Sequence, residues 1–231
     1  MTKILAVGPH PDDVEFGCAP LLIQEVRKGN QVMILVLTKG EAASSGTPEE
    51  RTHEASEAAR VIGAEIGFLD LGGDCHIRHC LEHATAIARE IRRFKPNIVL
   101  APHLDENQHP DHAVTGRNVR DAARLARYGG LENLKDRGVH LIDQLYYYNI
   151  TQSLGPKPDI VIDVSDVESQ WETAIRCHKS QMKTKGYLDL VMARARSLGA
   201  ALGVSAAMGL WVNDPVRVAA LSDLTLSSRN F

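Results

Sequence analysis

The feature that most constrains this chain is the regular alternation of short apolar runs with amphipathic stretches through its first half. Ile4 to Val7, Gln31 to Leu37, Ile66 to Leu71 and Asn97 to Ala101 read as buried strands. Between them, Glu15 to Lys28, Pro48 to Ile62 and Leu81 to Phe94 read as helices, and Pro110 to Tyr128 as another after the fourth strand. Thr47 with Pro48 and Glu50 forms a capping-box start, Gly63 a stop, and Pro96 ends the third helix from outside. Strands joined by helices of this length imply right-handed βαβ units, hence a Rossmann-like, three-layer α/β/α fold with a mostly parallel sheet. Past residue 140, Gln144 to Ile150 and Asp159 to Val164 read as strands, and Val167 to Met182 and Leu188 to Leu202 as helices. No composition shift, repeat or linker divides the 231 residues, so one domain over 1–231 is expected.

Composition excludes several classes. The 26 basic and 29 acidic residues leave a net charge of −3, which gives no electrostatic footprint for nucleic acid or an anionic membrane. No apolar run approaches the roughly 20 residues that span a bilayer. The N-terminus enters a strand at once and does not read as a signal peptide. With Cys18, Cys75, Cys80 and Cys177 and no export signal, free thiols in a reducing cytoplasm are expected.

Two clusters carry chemistry. The first strand runs into His10-Pro11-Asp12-Asp13, and the strand at 97–101 is followed by His109-Pro110-Asp111-His112. In open parallel sheets, ligands bind beyond the carboxyl ends of the strands where the strand order reverses. A 3-2-1-4-5 order puts that crevice between the first and fourth strands and brings the two clusters together. One HPDD alone is an ordinary turn with a capping Asp; two such clusters at one crevice favour a metal site. Two imidazoles and a carboxylate suit catalytic Zn²⁺, with His10, Asp13 and His112 as ligands. The same set forms the facial triad of Fe(II) enzymes, but Asp12, left beside the metal as a general base, favours hydrolysis. His109, one turn before His112, is placed to stabilise an oxyanion or assist a leaving amine, with Asp111 orienting it.

These stretches resemble the PIG-L/LmbE-like family of zinc-dependent N-acetylglucosamine deacetylases. The resemblance rests on VGPHPDDVEFGC, on LTKGEAASSGTPEERTHEASEAARVIG at 37–63, on PNIVLAPHLDENQHPDH at 96–112 and on CHKSQM at 177–182, with ARARSLGAALGV at 193–204 a weaker match. It looks nearest the bacillithiol branch, which acts on N-acetylglucosaminyl-malate. It implies an LmbE-like fold, zinc on His10, Asp13 and His112, Asp12 as base, His109 at the oxyanion, and Arg51 gripping an anionic or hydroxyl-rich part of an amino-sugar substrate. It also implies relatives that are often homo-oligomers. The same scaffold hosts a zinc-dependent hydratase, the rival enzymatic reading; a metal- or sugar-binding protein without turnover is the second rival. Departures fall at Gly8-Pro9, at 70–80, and at Ala206-Ala207-Met208, where the branch tends to show Tyr-Ala-Glu.

Other residues carry alternatives. Glu41 reads equally as a ligand for a sugar hydroxyl or a loop cap. Glu15 reads as a carboxylate supporting the metal ligands or as helix-start charge. Cys75, His76, His79 and Cys80 lack paired CxxC spacing and read as a loop and helix start rather than a structural zinc. His103 reads as pocket lining or a structural histidine, and Tyr146 to Tyr148 as strand. His53, His83, His140 and His178 are assigned no role. Gly72-Gly73 and Gly129-Gly130 lack the context for dinucleotide binding, so no NAD is expected.

Overall fold

The computed structural model describes residues 1–105, 108–151, 156–183, 186–224 and 227. Along the chain run β1 (Lys3–Gly8), α1 (Asp13–Gly17), α2 (Ala19–Arg27), β2 (Gln31–Val36), α3 (Pro48–Ile62), β3 (Glu65–Phe68), α4 (Leu81–Phe94), β4 (Ile98–Pro102) and α5 (Pro110–Ala126). β5 (Gln144–Tyr148), β6 (Ile160–Asp163), α6 (Glu168–Arg176), α7 (Lys179–Met182), α8 (Tyr187–Ala200) and β7 (Ala207–Val212) complete it. The strands form one seven-stranded sheet in the order β3-β2-β1-β4-β5-β7-β6. The first five lie parallel, and β7 runs antiparallel to both β5 and β6. The expected 3-2-1-4-5 reversal is therefore present, and β1 and β4 are direct neighbours.

Alternate residues of the central strands feed two cores. Ile4, Ala6, Ile34 and Leu100 face α2, α6 and α8 through Leu22, Trp171 and Val191. Leu5, Val7, Leu35 and Val99 face α4 and α5 through Ile87, Ile91 and Val119. The Thr47 capping box forms with Glu50, and Gly63 closes α3 at φ 86°.

Several elements depart from the sequence reading. The helix expected over Glu15–Lys28 starts at Asp13 and breaks at Cys18 (φ −150°), where Pro20 begins a new first turn. The helix expected over Val167–Met182 breaks ahead of α7, at His178 (φ −81°, ψ 59°). The third strand is shorter than Ile66–Leu71, ending at Phe68. β7 has no counterpart in the sequence reading: Ala207–Val212 mixes small and bulky apolar residues without alternation, and only pairing with β5 and β6 decides its form.

Two glycines set close approaches. A Cβ on Gly17 would lie 2.2 Å from the Tyr148 ring, and one on Gly116 would lie 2.3 Å from the Pro102 carbonyl oxygen. The second contact lets α5 press against the end of β4, which fixes where His112 stands. No helix among the described residues is long and apolar enough to cross a membrane.

Candidate active site

His10, Asp12 and Asp13 follow β1, while His109 and His112 sit at the start of α5, just past β4. Pro110 occupies the first helical position, and the His109 Nδ1 accepts the Asp111 amide at 3.3 Å. The Asp13 carboxylate lies between the two imidazoles, with one oxygen 2.8 Å from His10 Nδ1 and the other 3.3 Å from His112 Nε2. All three side chains are buried. The set expected from sequence thus converges.

The other face of His10 meets two more carboxylates. Its Nε2 is 3.1 Å from Asp111 Oδ2 and 3.2 Å from Asp74 Oδ1. Burial alone would depress the His10 pKa, but Asp13, Asp111 and Asp74 outweigh it and raise it well above the ordinary imidazole value. Burial would raise Asp13, and the two imidazoles overcome it and lower its pKa. Asp74 follows the same pattern, with His10 and His109 keeping it low. Three acids packed around one imidazole form a pocket that favours a cation. His10 and His112 also flank a carboxylate, and two imidazoles that yield a proton to an incoming ion, together with one carboxylate, are the donor set of catalytic zinc. The residues fit that ion, with Asp111 and Asp74 orienting His10 from behind.

Asp12 sits where α1 begins, at φ 123°, a conformation L-residues rarely adopt. Burial pushes its carboxyl up to about 6, against the pull of the Arg51 guanidinium. Arg51 is 4% exposed. Its Nη2 donates to the Pro11 carbonyl at 2.9 Å and to Asp12 Oδ2 at 3.2 Å, and its Nη1 donates to the Gly40 carbonyl at 3.2 Å. A Cβ on Gly40, whose φ is +72°, would meet Arg51 Nη1 at 1.9 Å, so glycine clears room for the guanidinium.

The expectation that Asp111 orients His109 is corrected by the structure. Its carboxylate instead accepts from His10 Nε2 and from the Cys75 amide at 2.8 Å, and lies 4.0 Å from His109 Nδ1. At the second helical position its side chain turns back across the helix entrance toward β1, while its amide serves His109. With Nδ1 accepting, the His109 Nε2 carries the hydrogen and faces Asp74 Oδ1 at 3.4 Å. Burial, with the charge of His10 adding to it, lowers the His109 pKa from its ordinary value.

Glu41 serves the loop-cap alternative. It accepts from the Lys39 and Asp74 amides at 3.1 and 2.9 Å, and does not line the cleft. His79 pairs with Asp121 at 2.7 Å, and Cys80 stands at the N-cap position of α4; neither lines the cleft with Cys75. His103 packs edge-on against Trp211, 4.9 Å between ring centroids. Tyr147 and Tyr148 point to opposite faces of β5, bonding Asn213 and the Val7 carbonyl. Glu15 lies behind the cleft, 3.5 Å from the buried His178.

Sequence reasoning missed Asp74 and Cys75 as cleft residues. It also missed Gln181 and Tyr187, which bring the CHKSQM segment and α8 to the cleft wall. The signal for Asp74 is present but weak, an acid in a Gly-rich loop after a strand edge. The cleft has a volume of about 410 Å³ and is floored by His10, Asp12, Asp13, His109 and His112.

Comparison with known proteins supplies the family. Residues 5–123 match the PIG-L family, described as GlcNAc-PI de-N-acetylase. The chain is 30% identical over 198 residues to a diacetylchitobiose deacetylase from Thermococcus kodakarensis, covering 78% of this chain and 70% of that protein. It is 25% identical over 203 residues to a probable N-acetyl-alpha-D-glucosaminyl L-malate deacetylase 2 from Bacillus subtilis, covering 80% of this chain and 85% of that one. Among solved structures, the conserved protein TT1542 from Thermus thermophilus superposes with a TM-score of 0.84 at 32% identity, covering 95% of this chain and 98% of that chain. The chain belongs to the PIG-L family of de-N-acetylases, and its fold is the family's three-layer α/β/α architecture.

Proposed function

We propose that the protein hydrolyses the acetamide of an N-acetylated amino sugar, such as N-acetylglucosaminyl-malate or a similar N-acetylglucosamine conjugate. The observation that carries this reading is Asp12, a buried, unhelical carboxylate held beside the His10–Asp13–His112 set at the floor of an open cleft. The similarity to deacetylases of diacetylchitobiose and of the malate conjugate supports an amino-sugar substrate. The four free cysteines suit a reducing cytoplasm.

His10, Asp13 and His112 would hold the zinc. Bound there, it supplies a Lewis acid that polarises a carbonyl and makes water acidic near neutral pH. Asp12 takes the proton of the attacking water. Arg51 fixes the Asp12 carboxylate toward the cleft floor. The His109 Nε2–H donates toward the oxygen that gains charge as the acetamide carbon becomes tetrahedral. Asp12 then returns its proton to the departing amine, releasing acetate and the free amino sugar. Asp111 and Asp74 keep His10 in its ligating orientation.

The experiment is an acetate-release screen of the zinc-loaded protein. Its substrates are N-acetylglucosaminyl-malate, N,N'-diacetylchitobiose and simpler N-acetylglucosamine derivatives. Release that disappears in Asp12→Asn at full zinc content supports the reading. Water addition to an unsaturated carboxylic acid without acetate release would replace it with the hydratase reading, and saturable sugar binding without turnover would replace it with a binding protein.

A further inference from the structure

One group of donors in the cleft includes none of His10, Asp13 and His112, although its Asp74 Oδ1 lies 3.2 Å from His10 Nε2. The loop between β3 and α4 brings Asp74 and Cys75 over the start of α5. Asp74 Oδ1, Cys75 Sγ and His109 Nε2 form a triangle whose edges are 3.4 Å (carboxylate to thiol), 3.6 Å (thiol to imidazole) and 3.4 Å (imidazole to carboxylate). A tetrahedral zinc ion with bonds of about 2.0–2.2 Å to nitrogen and oxygen and 2.3 Å to sulfur separates such donors by about 3.4–3.6 Å. The side chains therefore already stand at the spacing of one face of a zinc tetrahedron, and all three residues line the cleft.

The backbone is arranged to put the thiol there. Cys75 has φ 67°, in the left-handed region where a residue other than glycine is strained. Its amide is tied to Asp111 Oδ2 at 2.8 Å, and the neighbouring Asp74 amide is tied to Glu41 at 2.9 Å. His109 and Asp74 also belong to a group of four donors, with His10 and Asp111, whose ligand atoms all lie within 4.8 Å of one another.

The geometry points to a second divalent-cation site formed by Asp74, Cys75 and His109, selective for thiophilic ions of the zinc class and inhibitory when filled. Occupation ties up the His109 nitrogen that faces the reacting oxygen. The thiol carries its proton in the free protein, because burial and the flanking Asp74 and Asp111 push its pKa up. Each ion that binds there forms a metal–sulfur bond and releases the thiol proton to solvent, while the His109 Nε2 hydrogen moves to Nδ1 and the Asp111 amide bond is given up, so that Nε2 can donate its lone pair. Inhibition rests on the deacetylase reading, whereas occupancy does not.

The test starts from protein holding one equivalent of zinc and adds zinc or cadmium alone. Metal analysis after equilibrium dialysis counts bound ions, and the ultraviolet absorption of a cadmium–thiolate bond reports the sulfur. Cys75→Ser removes the sulfur, and Cys75→Gly removes it while relieving the positive φ. A double Cys80→Ser, Cys177→Ser variant controls for the other partly exposed thiols. The parent and the control are expected to bind a second equivalent with the cadmium–thiolate band. Both Cys75 variants are expected to lose the band and bind that equivalent roughly tenfold more weakly or worse, since losing even an outer supporting partner costs about 10–100-fold. Inhibition by added zinc, normalised to each variant's own rate, should shift by the same factor. A parent that binds only one equivalent, or Cys75 variants that bind the second as the parent does, overturns the site. Two bound equivalents without any acetate release would leave the site standing and count against the function alone.

Discussion

The guanidinium of Arg51 lies 3.2 Å from the carboxylate of Asp12, and the same nitrogen holds the carbonyl of Pro11 one residue earlier. Arg51 thus braces the strained Pro11-Asp12 turn from behind, and a positive charge partly offsets the burial of the carboxylate.

That arrangement separates two roles for Arg51. If it chiefly positions Asp12, Arg51→Met lowers kcat with KM nearly unchanged and leaves zinc content intact; if it grips substrate, KM rises and kcat is preserved. We expect the first pattern, with a loss of about 10²-fold, near the low end of what a general base contributes. Arg51→Lys should recover part of it, because charge returns but the fork that spans Pro11, Asp12 and Gly40 does not. Steady-state kinetics with metal analysis of the same samples decide it.

The three proposed ligands and their supports should sort by metal content. Asp13→Asn and His112→Ala are expected to purify without stoichiometric zinc and without activity. Asp111→Asn keeps all three ligands and an acceptor oxygen behind His10 but removes its negative charge, so zinc affinity should fall about 10-fold, the low end for a supporting partner. Asp12→Asn should keep zinc and lose about 10²–10⁴-fold in kcat. Competition with a chelator measures the affinities, and an Asp12→Asn protein that turns over normally removes the base assignment.

Much of this is readable in the sequence because local rules decide it. The HPDD and HPDH clusters each follow a strand, the β1–β4 reversal follows from βαβ order, and the Thr47 box and Gly63 mark α3 directly. What is not readable depends on long-range packing. Nothing local says that Asp111 turns to His10 rather than His109, since that depends on where β1 lies. The break at His178 and the strand at Ala207–Val212 are likewise imposed by neighbours, Glu15 and Glu54 in one case and β5 with β6 in the other. Nothing local in α3 marks Arg51 as buried; that follows only from the Gly40 loop closing over it.

Gly116 offers a test of how the fold sets the site. With the Pro102 carbonyl 2.3 Å from where a Cβ would stand, backbone must move to admit one. Gly116→Ala should push the middle of α5 from the end of β4 and cost about 1–3 kcal/mol, the usual scale for overpacking. Because His112 rides on the same helix, zinc affinity should drop with stability. Denaturant unfolding together with chelator competition checks both. A variant that loses stability with unchanged affinity would mean that the first turn of α5 is held independently.

The buried His178 and Glu15 make a pH-dependent contribution to stability whose sign follows from their pairing. Burial alone would lower the His178 pKa, but Glu15 at 3.5 Å, with Asp12 and Glu54 adding to it, raises it above the ordinary value. A group whose folded pKa is raised stabilises the protein fully below its unfolded pKa of about 6.5, and the contribution fades as pH climbs through the folded value. His178→Gln should therefore cost more stability at about pH 5.5 than at about pH 8.5. Taking the difference between parent and variant cancels the titration of His10 and other shared groups. Urea unfolding of both proteins at the two pH values measures the gap, and a difference that stays constant or widens toward alkaline pH would show that His178 is buried in its neutral form.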